Sequence, residues 1–252
     1  MRETPQWLPV TLAYLGIKDL AYPFSLKLRG IEPVTLKEDG DLLAFWQIFL
    51  RRVYPVRRNE TLIVDAGANI GFFTLFAARE SPHARIFSIE PFPESYERLC
   101  QNVRDNRLDG RVTCLNCALG ESSETRMMKL SGKRSQSRRV IAFDETESGD
   151  AAAVSTQTLE QIFDLHGITR VDLLKMDIEG GEYETFFSTR DDVLRRIHSI
   201  ALEYHPDVEN YSTSQMLQYL IEAGFRVTRD IPNHEGFGTA HLERANGSGK
   251  SP

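Results

Sequence analysis

The sequence predicts an α/β chain built on a doubly wound, mostly parallel seven-stranded sheet with an antiparallel last strand and an N-terminal extension. Three observations predict it. From Glu60 onward, short apolar runs alternate with helix-period segments, the signature of parallel strands joined by crossover helices. The run Leu62-Ile63-Val64 is apolar throughout, as a strand covered on both faces must be. The last two runs, 225–230 and 238–243, are joined by a loop with no helix, so they should pair as an antiparallel hairpin. With 252 residues, 41% of them hydrophobic, the chain can bury one substantial core with decorations.

The elements follow in order. Residues 1–58 read as an extension that packs on the core. It holds a short helix around Val10 to Lys18, strands at 24–28 and 33–37, and an amphipathic helix from Asp41 to Tyr54. Leu42, Phe45, Ile48 and Phe49 share one face of that helix, and Asp41 suits its N-cap. The main domain, 59–245, carries strands at 61–65, 85–90, 111–118, 170–176, 197–204, 225–230 and 238–243. Its helices read 70–80, 93–106, 158–166, 182–189 and 212–223. Thr213-Ser214-Gln215 opens the last helix and Gly224 closes it. An insertion at 124–156 runs basic (SGKRSQSRR) and then acidic (FDETESGD), which reads as a solvated loop, with a substrate-covering lid as the alternative. The tail 246–252, NGSGKSP, is expected to be disordered.

The net charge of −6 argues against a dedicated nucleic-acid binder. No stretch approaches a membrane span, MRETPQWLPV is not a signal peptide, and three cysteines suit a reducing cytoplasm. Cys114-x-x-Cys117 lies on a strand, so alternation puts the two thiols on opposite faces, and packing is the expected role. The expected partner is a small molecule rather than a membrane or nucleic acid, and a homodimer is left open.

The chemistry concentrates at the strand ends, where open α/β sheets bind ligands. The stretch TLIVDAGANIGFFTL ends a strand in Asp65, turns through Gly67-Ala68-Asn69-Ile70-Gly71, and starts a helix at once. Glycines let that turn be sharp and let a ligand come close, and the helix N-terminus offers free N–H groups. A dinucleotide fingerprint would need glycine at 69 and 72, where Asn69 and Phe72 stand, so the glycine that hugs a pyrophosphate is missing. An acid at the strand end suits a cationic or hydroxyl-bearing ligand. Glu90 ends the next run at the distance where such folds place a ribose-binding acid. Further ends are Asn116-Cys117-Ala118, then Asp177-Ile178-Glu179 after VDLLKM, and Glu203-Tyr204-His205-Pro206 after SIALEY.

The turn resembles motif I of class I methyltransferases that use S-adenosylmethionine. Together, VDAGANIGFFTL, IEPFPESYERLCQN, NCALGE, LLKMDIEGGE and ALEYHP resemble the FkbM-like family, over about residues 25–243. IEGGE stands where VEGAE or VEGHE is more usual. The resemblance implies a Rossmann-like class I methyltransferase fold and S-adenosylmethionine-dependent methylation, usually of a hydroxyl on a small metabolite, sugar or polyketide-type product. It also implies site roles. Asp65 would lie near the methionine ammonium or a bridging water. Gly67, Asn69 and Gly71 would let backbone pass the cofactor. Glu90, followed by Pro91 and Phe92, would take the ribose and an adenine face. Asn116, Cys117 and Ala118 would read the adenine edge, and Asp177 would face the sulfonium. Lys175, Glu179 and His205 would meet the acceptor. His205 is the first candidate base, with Glu203 or Asp177 to orient or replace it. Lys175 shares a strand face with Asp177. No metal is assigned: assistance through Asp177, Glu179 and Glu203 is left open, but no His/Asp ligand spacing supports it. The alternatives are N-methylation, RNA ribose 2′-O-methylation, a nicotinamide-dependent oxidoreductase, and a catalytically silent binding module.

Overall fold

The structure is a computed structural model that describes residues 3–129, 140–141, 151–206, 211–233 and 236–245. The extension holds α1 (Trp7–Tyr14), the hairpin β1 (Phe24–Leu28) and β2 (Ile31–Leu36), then α2 (Asp39–Phe45), which runs into a π-helical turn at Trp46–Leu50. The alternating part runs β3 (Leu62–Ala66), α3 (Phe72–Glu80), β4 (Arg85–Ile89), α4 (Pro93–Asp105) and β5 (Val112–Leu115). Short strands β6 (Ala118–Leu119), β7 (Thr125–Lys129), β8 (Val140–Ile141) and β9 (Ala151–Gln157) follow. Then come α5 (Leu159–Leu165), β10 (Val171–Met176), α6 (Glu182–Ser188), α7 (Asp191–Leu194), β11 (Ile197–Tyr204), α8 (Thr213–Glu222), β12 (Phe225–Pro232) and β13 (Gly238–Arg244).

Seven strands form the main sheet in the order β12-β13-β11-β10-β3-β4-β5. Strands β10, β11, β3, β4 and β5 are mutually parallel, and β13 runs antiparallel to both β11 and β12. The chain winds outward from β3 to β5 and then returns to β10 on the other side of β3. The switch point therefore lies between β3 and β10, where open sheets of this kind leave a crevice.

Strand alternation sorts the core into two layers. Ile63, Ile86, Val112, Leu173 and Ala201 face α3 and the extension. Val64, Phe87, Leu174, Met176, Ile200 and Leu202 face α5, α6 and α8. In the first layer Phe45 and Phe49 of the extension pack on Phe72 and Phe76 of α3, with ring centroids 5.4–6.2 Å apart. Truncating one such buried ring to alanine costs about 3–5 kcal/mol, so the extension is held on by core contacts rather than tethered beside them.

Several boundaries differ from the sequence reading. The first helix ends at Tyr14, because Gly16 turns left-handed (φ +67°). Asp41 is not an N-cap. The cap is Glu38, and Asp41 is fully buried in the first turn, where it accepts from the Lys37 amide and pairs with Arg98 at 2.6 Å. A tertiary ion pair with α4 thus recruited the side chain that looked like a local cap. The helical stretch stops at Leu50, four residues short of Tyr54. The strand read at 111–118 breaks into β5 and β6, and β6 leaves for a second sheet of order β6-β9-β7-β8. The ends of the insertion are therefore paired strands. All of its basic run, 131–139, and all of its acidic run, 143–150, lie outside the described residues, as does the tail 246–252. The short α7 had no counterpart in the sequence reading. Ser212 and Gln215 form a capping box at α8, and Gly224 follows its end at φ +95°. Cys114 and Cys117 are free thiols, half-buried and buried. Among the described residues, no helix is long and apolar enough to cross a membrane.

Candidate active site

The layer that faces α3 turns polar near the strand ends. Register places Ala201, Lys175, Asp65, Ser88 and Cys114 in one row across five strands. Two residues further along lie Glu203, Asp177, Gly67 and Glu90, at the mouth of the crevice. These residues border a cleft of ≈ 610 Å³, a size suited to a small ligand.

One end of the cleft is made by the turn after β3. Gly67 and Ala68 both donate their amides to Ile89 O. Gly67 has φ +76°, and a Cβ there would sit 1.7 Å from Asp177 O. Only glycine lets the turn cross the end of β10 so closely. Asn69, also left-handed (φ +48°), donates its amide to Glu90 Oε2 at 2.8 Å, and Phe92 N donates to Glu90 Oε1 at 2.9 Å. Burial pushes the Glu90 carboxyl up to about 7, against the two amides that favour its ionised form. Phe92 packs with Ala118 and Val154 at the wall.

Three residues expected at the cofactor do not border the cleft. Asp65 is fully buried and accepts from Thr74 Oγ1 at 2.7 Å, with Lys175 Nζ 3.4 Å away. Gly71 has φ +92°, a left-handed conformation that favours glycine, and Leu99 Cδ1 would lie 2.7 Å from a Cβ there, so its constraint is the backbone turn rather than ligand approach. Asn116 donates to Glu90 O and Pro91 O at 2.9 and 3.1 Å and ties down the loop after β4. Gly67, Asn69, Glu90, Pro91, Phe92, Cys117, Ala118 and Asp177 do border the cleft.

Lys175, expected to meet the acceptor, is 2% exposed and spends its ammonium on the protein. It donates to Ala66 O at 3.0 Å and Gly67 O at 2.7 Å, between Asp65 and Asp177. Burial pulls its pKa down, but the carboxylates of Asp177 and Asp65 outweigh that and raise it. Lys175 is therefore a fixed cation that clamps the turn to β10.

The other end of the cleft is rich in carboxylates. Tyr54, buried and delivered by the extension, places its hydroxyl 2.5 Å from Glu203 Oε2 and 3.1 Å from Asp177 Oδ2. Burial and the two carboxylates hold the Tyr54 phenol well above its usual pKa, so it stays protonated. Burial and the Asp177 carboxylate push Glu203 up to about 7.

His205 is 3% exposed and sits between two acids, with Nε2 3.3 Å from Glu179 Oε2 and Nδ1 3.1 Å from Glu182 Oε1. The Nδ1 contact is close but not aligned as a hydrogen bond. Burial lowers the His205 pKa, yet Glu179 and Glu182 overcome this and push it up to about 11. That direction favours the protonated ring and turns attention to the neighbouring carboxylates as candidate bases. Glu182 also accepts from the Ile178 and Gly180 amides, both at 2.8 Å, and so pins the loop that carries Glu179. Glu179 adopts φ +59°, an uncommon conformation for a non-glycine residue.

The sequence reading missed three site residues. Tyr54 was read as the end of a helix. Glu182 stood in the DIEGGE run with no role assigned. Arg126, on β7 of the insertion, reaches the cleft wall and pairs with Glu184 of α6 at 2.5 Å.

A family model described as "Methyltransferase FkbM domain" matches residues 65–227. The chain is 28% identical to "Methyltransferase sdnD" of Sordaria araneosa, with 73% of this chain and 82% of that protein covered. It is 26% identical to "31-O-demethyl-FK506 methyltransferase FkbM" of Streptomyces tacrolimicus, over 72% of this chain and 78% of that one. The crystal structure of an FkbM methyltransferase from Methylobacillus flagellatus KT superposes with a TM-score of 0.53 at 17% identity. That match covers 79% of this chain and about half (47%) of the solved chain, and it supports the fold. The family match supports S-adenosylmethionine as the cofactor, as the sequence expected.

Proposed function

The chain belongs to the FkbM methyltransferase family and is a methyltransferase, and from that premise we propose that it moves the methyl group of S-adenosylmethionine to a hydroxyl of a small-molecule acceptor. S-Adenosylmethionine supplies an electrophilic methyl carbon on a positively charged sulfur, so the protein need only bind, align and manage a proton. The cleft fits that cofactor by its donor set. Glu90 has both oxygens fixed by backbone amides and still holds lone pairs for vicinal hydroxyls. Gly67 keeps the turn free of a side chain, and Phe92 and Ala118 offer an apolar wall.

The observation that carries the hydroxyl reading is the set Asp177, Tyr54 and Glu203. A phenol has one proton, so the Tyr54 hydroxyl cannot donate to both carboxylates at once. Each carboxylate offers about four lone-pair sites, so both acids keep acceptor capacity for a proton from outside. A neutral hydroxyl that gives its proton to such a carboxylate becomes the nucleophile for an in-line displacement. Glu203 takes this role best, because Asp177 is also held by Lys175 at 3.6 Å. A polyanionic acceptor such as RNA would meet Asp177, Glu179 and Glu203 at the same mouth and be repelled.

The test is S-adenosylhomocysteine release by the full chain with a panel of sugars, hydroxylated natural products and amines. The expected product carries a new methyl ether. Glu203→Gln should lower turnover by about 10²–10⁴-fold while cofactor affinity stays within about twofold of wild type. Methylation of amines alone, or full turnover by Glu203→Gln, contradicts the proposal.

A further inference from the structure

We propose that Asp177, Glu179 and His205 form a divalent-cation site of the manganese or magnesium class at the acceptor end of the cleft. One ligand atom from each of the three lies within 4.8 Å of the others. Ligands on one ion at about 2.1–2.3 Å can stand at most about 4.6 Å apart. Side-chain adjustments of a few tenths of an ångström therefore close the set. The donors are two carboxylates and one imidazole with no thiolate, which favours a hard ion over a soft one.

The histidine is the independent sign. Its side chain is almost wholly buried and borders the cleft, with Nε2 3.3 Å from Glu179 Oε2. Behind Nδ1 stands Glu182, itself immobilised by the Ile178 and Gly180 amides. A carboxylate behind one ring nitrogen, with the other nitrogen facing an acid-lined space, is how metal-ligating histidines are commonly oriented. The charges agree. Asp177, Glu179, Glu182 and Glu203 gather here, while Lys175 is spent on the Ala66 and Gly67 carbonyls. A cation would offset that excess.

The role of the ion rests on the methyl-transfer reading. A cation there would hold the acceptor hydroxyl next to Glu203 and make it more acidic. The binding test does not depend on that reading. Manganese alone is titrated into the full chain without cofactor or acceptor, with free ion read by electron paramagnetic resonance. One ion per chain is expected. Glu179→Gln and His205→Gln should each weaken binding by about tenfold or more, and Glu184→Gln should leave it unchanged. Asp177→Asn serves as a further variant where one of these fails to fold. No binding below about 1 mM, or equal binding by folded Glu179→Gln and Asp177→Asn, overturns the site. Tight binding with turnover indifferent to chelation overturns the role and leaves methyl transfer standing.

Discussion

At the cofactor end of the cleft, Gly67, Asn69, Glu90 and Phe92 fall within one β–α–β unit. At the acceptor end, Tyr54 and Glu203 meet across 149 residues of sequence, with Asp177 between them. The first end is specified by backbone: left-handed residues, amides aimed at one carboxylate, and a glycine pressed on a neighbouring strand. The second is specified by packing, because Tyr54 arrives only if the extension docks its phenylalanines on α3. Local damage at the first end should therefore cost folding or cofactor binding. Substitutions at the second should cost turnover and spare the cofactor.

The largest effect is expected at Gly67. Gly67→Val places a branched side chain where even a Cβ would lie 1.7 Å from Asp177 O. A loss of about 4 kcal/mol or more is expected, seen as insoluble protein or a sharply lowered denaturation midpoint. A folded variant of wild-type stability would mean that the turn does not cross β10 as described.

Next comes the carboxylate of the cofactor end. Glu90→Ala should weaken S-adenosylmethionine by about 1.5–3 kcal/mol, or roughly ten- to a hundredfold. Affinity for the cofactor should rise with pH through about 7, as Glu90 ionises and accepts more strongly. Glu90→Gln should lose that limb. Without ligand the sign reverses. A carboxyl raised above 4.5 in the fold stabilises it below that pH, and this contribution fades as pH rises through about 7. Calorimetry and melting curves from pH 5 to 8 check both signs.

The smallest effect belongs to Tyr54→Phe. The ring keeps its edge contact with Phe73 at 5.7 Å, so the fold should hold. Loss of one hydroxyl should lower turnover by about tenfold. A variant with wild-type turnover would remove the extension from the chemistry.

The same contrast explains what the sequence could and could not show. The glycine turn and Glu90 were legible because their spacing is the geometry. The sheet was legible because the alternation of apolar runs dictates parallel strands, down to the antiparallel final pair. Lys175 was placed on the right face, but alternation does not say what lies above that face. Register with Asp65 puts the ammonium under the turn, where two carbonyls consume it. Asp65, Gly71 and Asn116 lie in the same motifs but do not border the cleft: Asp65 is buried against Thr74 and Lys175, and Asn116 ties down the loop after β4. Tyr54 was out of reach, because a helix continued to 54 would have aimed it elsewhere. The π-helical turn and the left-handed Arg52 redirect the chain just before it. His205 was drawn to the cleft correctly, but its two acidic neighbours come from the loop after β10 and from α6. Their convergence is what favours the protonated form of the ring.

The division of labour within the cleft is tested most directly by titrating S-adenosylmethionine calorimetrically into wild type, Glu90→Ala and Glu203→Gln side by side. The predicted result is a roughly ten- to hundredfold loss for Glu90→Ala and an affinity within about twofold of wild type for Glu203→Gln. Equal losses in both variants, or a loss in Glu203→Gln alone, would contradict the placement of cofactor and acceptor at opposite ends.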